Sequence, residues 1–249
     1  MTPSKFEQDF AVPTYCFDIN SRMRPAAFFE IAQDLAVNGA TMVGAPDPVL
    51  KKKGVVWILI RMHVHYDRLP KLYESVKLQT WHAGVAGPLF IRDYVFLSPD
   101  GEPLIRASSS WGLMDVENRT LARADRIFDI LPPEPQHPDH ALESNAPKIV
   151  WPAGVLPDLV TTHNVMYSDV DYNGHANNAR YPVWAYDALP PELAESGRIT
   201  DFYINYNREL HPGDVAELRR LPLADGAWLV EGSHDGMQSF ICKMKFNQF

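Results

Sequence analysis

A twelve-residue pattern occurs twice in this chain: Val170-Asp-Tyr-Asn-Gly-His-Ala-Asn-Asn-Ala-Arg-Tyr181 repeats the earlier Phe17-Asp-Ile-Asn-Ser-Arg-Met-Arg-Pro-Ala-Ala-Phe28. The two stretches share an aspartate and an asparagine at matching positions, 153 residues apart: Asp18 and Asn20, Asp171 and Asn173. A second match, Tyr66-Asp-Arg68 with Tyr206-Asn-Arg208, follows in the same order at a spacing of 140. Ordered repetition of this kind indicates two copies of one structural unit. The smaller second spacing predicts an extra segment in the first copy, near residues 44–53.

Each copy has the sequence pattern of a helix followed by several strands. Apolar side chains on most sides of residues 25–43 predict a helix that is buried nearly all round. Alternation at 55–66 predicts a strand, and Pro99-Asp-Gly101 predicts a hairpin between two later strands. The second copy repeats this plan with a short helix near 178–189 and the turn Ala224-Asp-Gly226. The predicted fold class is α+β: two tandem domains, each a long central helix wrapped by an antiparallel sheet, forming a pseudo-dimer.

A proline-rich segment separates the copies. It begins with Leu131-Pro-Pro-Glu-Pro-Gln-His-Pro-Asp-His140 and continues beyond Pro147 to Pro152. Prolines at this density disfavour regular structure and favour a stiff, extended connection. We therefore predict an N-terminal domain at 1–130, a linker at 131–155 and a C-terminal domain at 156–249.

Composition narrows the class of protein. The chain has 249 residues, 46% of them hydrophobic and 22% charged, which is typical of a globular protein. Its net charge of −8 argues against nucleic acid as a ligand. The longest apolar runs are too short to span a bilayer, and the N-terminus shows no export signal, so we expect a cytoplasmic protein without stable membrane insertion. Cys16 and Cys242 are expected to be reduced thiols.

The second copy of the pattern carries the most chemistry. Asp171, Asn173 and His175 alternate, so in an extended segment their side chains share a face. Pro182 fits only the first turn of a helix, which predicts a helix start capped by Asn177 or Asn178. Free amides at a helix start could polarise a thioester carbonyl, and a nearby carboxylate or imidazole could take a proton from water. The alternative is that these polar residues merely form a turn and cap the helix.

Asp171-Tyr-Asn173-Gly-His175-Ala-Asn-Asn178-Ala-Arg-Tyr181 resembles the Asp-x-Asn-x-His-x-Asn-Asn-x-Lys/Arg-Tyr signature of plant and bacterial acyl-acyl carrier protein (acyl-ACP) thioesterases. The first copy agrees as well, in the motifs Trp57-x-x-x-Arg61-Met, Asp67-Arg68-x-Pro70, Thr80-Trp81 and Arg106-Ala-Ser-Ser-x-Trp111. The resemblance covers most of the chain. It implies tandem hot-dog domains with one active site, contributed mainly by the second, and hydrolysis of fatty-acyl-ACP to free fatty acid and ACP.

The resemblance also implies the site residues. Positions matching Asp171, Asn173 and His175 belong to the family's catalytic network, and a glutamate that corresponds to Glu209 joins them. The family often has a cysteine after that glutamate, where this chain has Leu210, so a thiolate nucleophile is excluded at that position. We therefore expect attack by water, with Glu209 or Asp171 as the general base. Which carboxylate is the base stays open.

The first copy lacks part of this set. Arg22 replaces the counterpart of His175, and Leu69 stands where the second copy has Glu209. A guanidinium remains protonated and cannot act as a base near neutral pH. We therefore expect the first copy to build the acyl pocket and the pseudo-dimer interface.

No cofactor or metal is expected. The chain has no nucleotide-binding or Cys-x-x-Cys motif, and His63-Val-His65 lacks a third ligand. Lys51-Lys-Lys53 and Arg219-Arg220 are read as solvated surface, or alternatively as contacts for acidic ACP. Other readings are an acyl-CoA thioesterase, an acyl-thioester hydratase or a non-catalytic acyl-binding protein. The acyl chain length, ACP or CoA as thiol partner, and monomer or homodimer stay open.

Overall fold

The computed structural model describes residues 4–155 and 157–247, which form two compact units. The first unit consists of residues 4–24 and Glu30–Ala146, and the second of Pro25–Phe29, 147–155 and 157–247. Each unit has its own antiparallel strands, and helices contribute a minority of the residues. The predicted α+β class is confirmed.

The first half of the chain contains, in order, β1 (Phe6–Ala11), α1 (Ala27–Met42), α2 (Asp47–Lys52), β2 (Val55–Tyr66), β3 (Ser75–Ala86), β4 (Leu89–Leu97), β5 (Pro103–Asp115) and β6 (Leu121–Ala122). The strands are antiparallel in the order β1-β3-β4-β5-β2, and β6 pairs with β5. The predicted hairpin between β4 and β5 is present, with Gly101 at a φ of +87°. A positive φ suits glycine because it has no Cβ to clash with the backbone.

Helix α1 packs closely on β3 and β4. A Cβ atom at Gly39 would lie 2.9 Å from the methyl carbon of Thr80 and would also collide with the guanidinium of Arg92. Ala32 and Leu35, on the same helix, are each 1% exposed. The prediction of a helix buried nearly all round is wrong, because α1 buries one face and exposes the other, which carries Glu30, Asp34, Val37 and Thr41. Gly39 is present because the sheet approaches the helix backbone there.

The second half contains β7 (Asp158–Asn164), α3 (Arg180–Asp187), α4 (Pro191–Ser196), β8 (Arg198–Tyr206), β9 (Val215–Pro222), β10 (Trp228–His234) and β11 (Met237–Asn247). These strands are antiparallel in the order β8-β11-β10-β9-β7. On α3, the rings of Tyr181 and Trp184 pack on Phe240 of β11, with centroids 5.0 and 6.5 Å away. This contact fixes the start of α3 against the sheet.

The two halves differ in the length of the helix. α1 has 16 residues and α3 has 8, which agrees with the short helix predicted for the second copy near 178–189. The pair Pro190-Pro191 keeps α3 short, because proline lacks the N–H that would continue a helix. The prediction of an extra segment at 44–53 is wrong. That region forms α2, and the second half has α4 at the same place before its first long strand. Of the thirteen extra residues, eight lie in α1 and three in β2, which has 12 residues where β8 has 9.

The proline-rich segment contains no helix or strand within 131–155, but it is anchored to both units. Its part up to Ala146 belongs to the first unit, where Trp81 Nε1 donates to the Asp139 carbonyl at 3.1 Å. Its later part belongs to the second unit, where Ile149 N–H donates to Asn205 Oδ1 at 2.7 Å. The domain limits at 130 and 156 stay predictions.

Two further features concern the chain as a whole. In the part that the structure describes, no helix is both long enough and apolar enough to cross a membrane. Cys16 and Cys242 are buried free thiols. Burial raises the pKa of both, so both thiols are held in the protonated form.

Candidate active site

The segment at 169–177, just before α3, is a closed loop held by Asp171. Its Oδ1 accepts a hydrogen bond from the Asn173 N–H at 2.8 Å, and its Oδ2 accepts one from Asn177 Nδ2 at 3.3 Å. The Asp171 N–H donates to the carbonyl of His175 at 3.1 Å. Because one aspartate makes bonds with both its backbone and its carboxylate, it fixes the conformation of the loop.

His175 lies beside Glu209. Its Nε2 is 3.8 Å from Glu209 Oε1, and the two side chains are 22% and 30% exposed. At that distance the two groups make no direct hydrogen bond. Glu209 follows β8, and the Ala176 N–H donates to the Leu210 carbonyl at 2.7 Å, which joins the two loops. The structure thus brings together two predicted site residues that are distant in sequence.

Asn173 has a different place. Its side chain is exposed, and its N–H is used to bind the Asp171 carboxylate. In this structure it contributes to the loop through its backbone, whereas His175 and Glu209 face each other. A role of the Asn173 amide in the reaction stays a prediction.

Helix α3 begins later than predicted. Asn177 and Asn178 are not its caps, because the first helical residue is Arg180 and the residue before it is Ala179. Asn177 forms a separate turn: its Oδ1 accepts from the Ala179 N–H at 2.8 Å and its carbonyl from the Arg180 N–H at 2.8 Å. Those two amides are therefore occupied. The Asn178 N–H donates to no other group among the residues that the structure describes, and it stands at the mouth of the helix.

The Tyr181 side chain contacts the loop that contains Glu209. Its hydroxyl accepts a hydrogen bond from the Leu210 N–H at 3.2 Å, and its side chain is 2% exposed. Burial raises the pKa of Tyr181, and the charges of Glu209 and Asp171 add to the increase, so the phenol stays protonated. Tyr181 belongs to the sequence motif, but the motif does not indicate this contact.

A buried carboxylate, Asp169, lies behind the loop. Its Oδ1 accepts from Arg180 Nε at 3.0 Å, and its Oδ2 accepts from the Met166 N–H at 2.9 Å and lies 2.9 Å from His163 Nε2. Burial acts to raise the pKa of Asp169, but these three partners outweigh it, so the pKa is lowered and the group is ionised. This cluster was not predicted from the sequence. The alignment of the copies held the signal, because Asp169 matches Cys16.

Metal ligands were not expected from the sequence. Across residues 4–155 and 157–247, no three His, Cys, Asp or Glu side chains form a group that could hold a metal ion.

The unit of helix and antiparallel sheet, present twice, is the hot-dog fold in tandem. An acyl-ACP thioesterase from Bacteroides thetaiotaomicron superposes with a TM-score of 0.86 at 25% identity, over 98% of each chain. A 12:0-ACP thioesterase from Umbellularia californica gives a TM-score of 0.88 at 20% identity, over 99% of this chain and 98% of that one. These likenesses establish the class of fold.

The chain belongs to the acyl-ACP thioesterase family. The family model for the acyl-ACP thioesterase N-terminal domain matches residues 3–130, and that for the C-terminal domain matches 157–243. Oleoyl-acyl carrier protein thioesterase 2 of Arabidopsis thaliana is 24% identical, over 85% of this chain and 61% of its own length. Palmitoyl-acyl carrier protein thioesterase of Gossypium hirsutum is 27% identical, over 82% and 52%. This chain thus matches between about half and three fifths of these relatives' length.

Proposed function

We propose that this chain hydrolyses fatty-acyl thioesters of ACP to free fatty acid and ACP, in fatty acid biosynthesis. The observation that carries the proposal is the pair of His175 and Glu209, 3.8 Å apart and partly exposed, in a member of the acyl-ACP thioesterase family. A histidine and a carboxylate at this spacing can activate a water molecule between or beside them.

Glu209 is the better candidate for the general base. Both oxygens of Asp171 already accept hydrogen bonds that close the loop, from Asn173 and Asn177. Removing Asp171 from that role would open the loop, whereas Glu209 belongs to a different segment and lies 3.8 Å from His175 Nε2. Asp171 therefore orients the loop, and Glu209, with His175 beside it, accepts the proton of the attacking water.

The reaction then has two steps. Water attacks the carbonyl carbon of the thioester while its proton passes to the Glu209 carboxylate, and the carbonyl oxygen becomes an oxyanion. The tetrahedral intermediate collapses, the C–S bond breaks, and the carrier sulfur leaves and takes up the proton that Glu209 received. The Asn178 N–H, at the positive end of the α3 dipole, is suited to stabilise the oxyanion.

The thiol partner is proposed to be ACP, and the compartment the cytoplasm. Of the two basic spots in the sequence, Arg219 is paired with Glu217, and Arg220 donates to the Ala188 carbonyl at 2.9 Å. Lys51 and Lys52 on α2 are exposed, and they are the candidate contacts for an acidic carrier. A homodimer is compatible with the proposal and is not needed for it.

The test is release of free thiol from a panel of fatty-acyl-ACP and fatty-acyl-CoA thioesters. Wild type is compared with Glu209→Gln and His175→Ala, and with Glu117→Gln, an exposed carboxylate, as the matched control. We expect turnover with ACP thioesters and a loss of about a hundredfold or more in the two site variants. Saturable acyl binding without thiol release would contradict hydrolysis. Turnover that survives both changes would contradict the site.

A further inference from the structure

The cluster around Asp169 joins the two ends of the candidate catalytic loop. Asp169 is the first residue of the loop at 169–177, and Arg180, which binds its carboxylate, is the first residue of α3, just after the loop. The Asp169 carbonyl also accepts from the Asn177 N–H at 2.8 Å. His163, on β7, connects the same carboxylate to the sheet, and its ring packs at a tilt on Trp184, with ring centroids 4.4 Å apart. One buried carboxylate thus fastens the loop to a helix and to a strand.

The first copy shows that the loop backbone can close without this cluster. At the positions that match Asp169, His163 and Arg180, the chain has an apolar set with no charge: Cys16, Phe10 and Ala27. The backbone bond that corresponds to Asn177 N–H to Asp169 carbonyl is nevertheless present, from the Arg24 N–H to the Cys16 carbonyl at 2.7 Å. The charged cluster is therefore not needed to form the loop, and it occurs in the copy that has His175 and Glu209.

We propose that Asp169, with His163 and Arg180, is a positioning cluster that holds the loop carrying His175 in register with Glu209 for catalysis. The inference rests on the proposed function, because it assigns a role within the same site. The cluster touches neither substrate nor the reacting atoms. It acts by fixing where Asp171 and His175 stand, and a displacement of about 1 Å at a catalytic group can cost on the order of a hundredfold in rate.

The first experiment writes the first copy's residues into the second: His163→Phe, Asp169→Cys and Arg180→Ala together. We expect kcat for acyl-ACP hydrolysis to fall by about thirtyfold or more with KM within about threefold, and cooperative thermal unfolding to be kept. The matched control is Asp115→Asn, which breaks a carboxylate–arginine pair of the first unit (Asp115 to Arg126, 2.6 Å) and should leave kcat unchanged.

A second pair of variants guards against misfolding. Arg180→Lys keeps a cation for Asp169 and should retain kcat within about fivefold, whereas Arg180→Met removes the charge and should lower kcat by about tenfold or more. A triple variant that folds and turns over at the wild-type kcat would overturn the inference, and so would equal kcat values for Arg180→Lys and Arg180→Met. Wild type and His175→Ala are assayed beside them. Absence of hydrolysis by wild type would instead refute the proposed function.

Discussion

The loops at 16–24 and 169–177 have the same backbone but different chemistry. Both follow a 3₁₀ turn, Thr14–Cys16 in the first copy and Tyr167–Asp169 in the second. In the first, the Asp18 carboxylate accepts from the Asn20 N–H at 2.8 Å, as that of Asp171 does from Asn173. The match extends to the loop that contains Glu209, because the Met23 N–H donates to the Pro70 carbonyl at 2.9 Å where Ala176 donates to Leu210.

The side chains that could move a proton are absent from the first copy. Arg22 has the place of His175, and its Nη2 pairs with Asp18 Oδ2 at 3.3 Å. Leu69 has the place of Glu209. The presence of Asp171 and Asn173 is accounted for by the loop that they close, because the first copy has the same residues at the matching positions. His175 and Glu209 are not required by the fold, because the first copy has other residues in their places. Function is therefore to be sought in the residues that differ between the copies.

The largest expected effect comes from the exchange His175→Arg with Glu209→Leu. The second copy then carries the side chains of the first, and neither can accept a proton from water. We expect kcat to fall by a factor of about a hundred or more, while the melting temperature changes little because the first loop already closes around these residues. Thiol release and thermal unfolding by circular dichroism measure the two quantities.

The reciprocal exchange, Arg22→His with Leu69→Glu, is the control for that prediction. It places the histidine and the glutamate in the first copy, which lacks the buried cluster of Asp169. We expect no change in hydrolysis by the otherwise wild-type chain. A rise in turnover would show that the first loop needs only these two residues to become a second site, and the contrast drawn between the copies would be wrong.

A second difference between the units concerns acid. Burial, helped by the charge of Arg92, lowers the pKa of His82 from 6.5 to about 4. The matching position of the second copy has Pro222, which does not titrate. As pH falls, the unfolded chain binds a proton near pH 6.5 and the folded chain does so only near pH 4. The free energy of unfolding should therefore fall by about 2 kcal/mol between pH 7 and pH 5.

Urea unfolding of wild type and His82→Gln at the two pH values measures this effect. The variant should lose most of the pH dependence, whereas His137→Gln, a less buried histidine paired with Asp139 at 3.5 Å, should keep it. Equal slopes for wild type and His82→Gln would show that another group causes the acid sensitivity.

Tyr181 gives a third and smaller contrast. In the second copy its hydroxyl receives the Leu210 N–H, and the matching positions of the first copy hold Phe28, without a hydroxyl, and Pro70, without an amide hydrogen. The first copy thus lacks both the donor and the acceptor of this hydrogen bond. Tyr181→Phe leaves the buried Leu210 N–H without its partner and should lower the free energy of unfolding by about 1–3 kcal/mol.

The control for Tyr181→Phe is Tyr73→Phe, since that side chain is 86% exposed. Its effect should stay within about 0.5 kcal/mol. Equal losses in the two variants, measured by urea unfolding, would mean that the hydroxyl of Tyr181 contributes nothing through Leu210.

The sequence was sufficient to predict the repeat and the order of helix and strands. Such features depend on local patterns, namely periodicity and turn residues, which are read along the chain. The expectation of an extended segment at Asp171 to His175 is wrong, because the Gly174 N–H donates to the Asp171 carbonyl at 3.0 Å and closes a turn. The pairing of His175 with Glu209 could be predicted through the family resemblance alone, because the two residues are far apart in sequence and meet only in the folded loop. The start of α3 was predicted too early in the chain, because the Asn177 side chain accepts a hydrogen bond within a turn and does not cap the helix.

The cluster of Asp169 was missed for a related reason. Its members come from a strand, a 3₁₀ turn and a helix, and no spacing in the sequence joins them. The short α3 was predicted from the sequence, near 178–189, and the pair Pro190-Pro191 prevents the helix from continuing. Patterns that are local in the sequence thus predict the order of helices and strands, whereas the candidate site depends on contacts between residues that are distant in sequence.

The smallest expected effect comes from Gly174→Ala, which introduces backbone strain into the loop that carries His175. Gly174 has a φ of +83°, and the matching Ser21 adopts +57°, so both loops turn through the left-handed region. Nothing lies within 4 Å of a Cβ atom at Gly174, so Gly174→Ala should cost about 1 kcal/mol from the backbone alone. Ser21→Gly should change stability by less than about 0.5 kcal/mol, because relieved strain is offset by a more flexible unfolded chain.

Because Gly174 precedes His175, the same alanine tests how tightly the loop must be held. We expect Gly174→Ala to lower kcat by about threefold to tenfold, and Ser21→Gly to leave it unchanged. An alanine variant that loses stability as expected but keeps full kcat would show that the histidine tolerates small movements of its loop. The exchange of the buried cluster of Asp169 would then be expected to lower kcat less. The two variants should therefore either both lower kcat or both leave it unchanged.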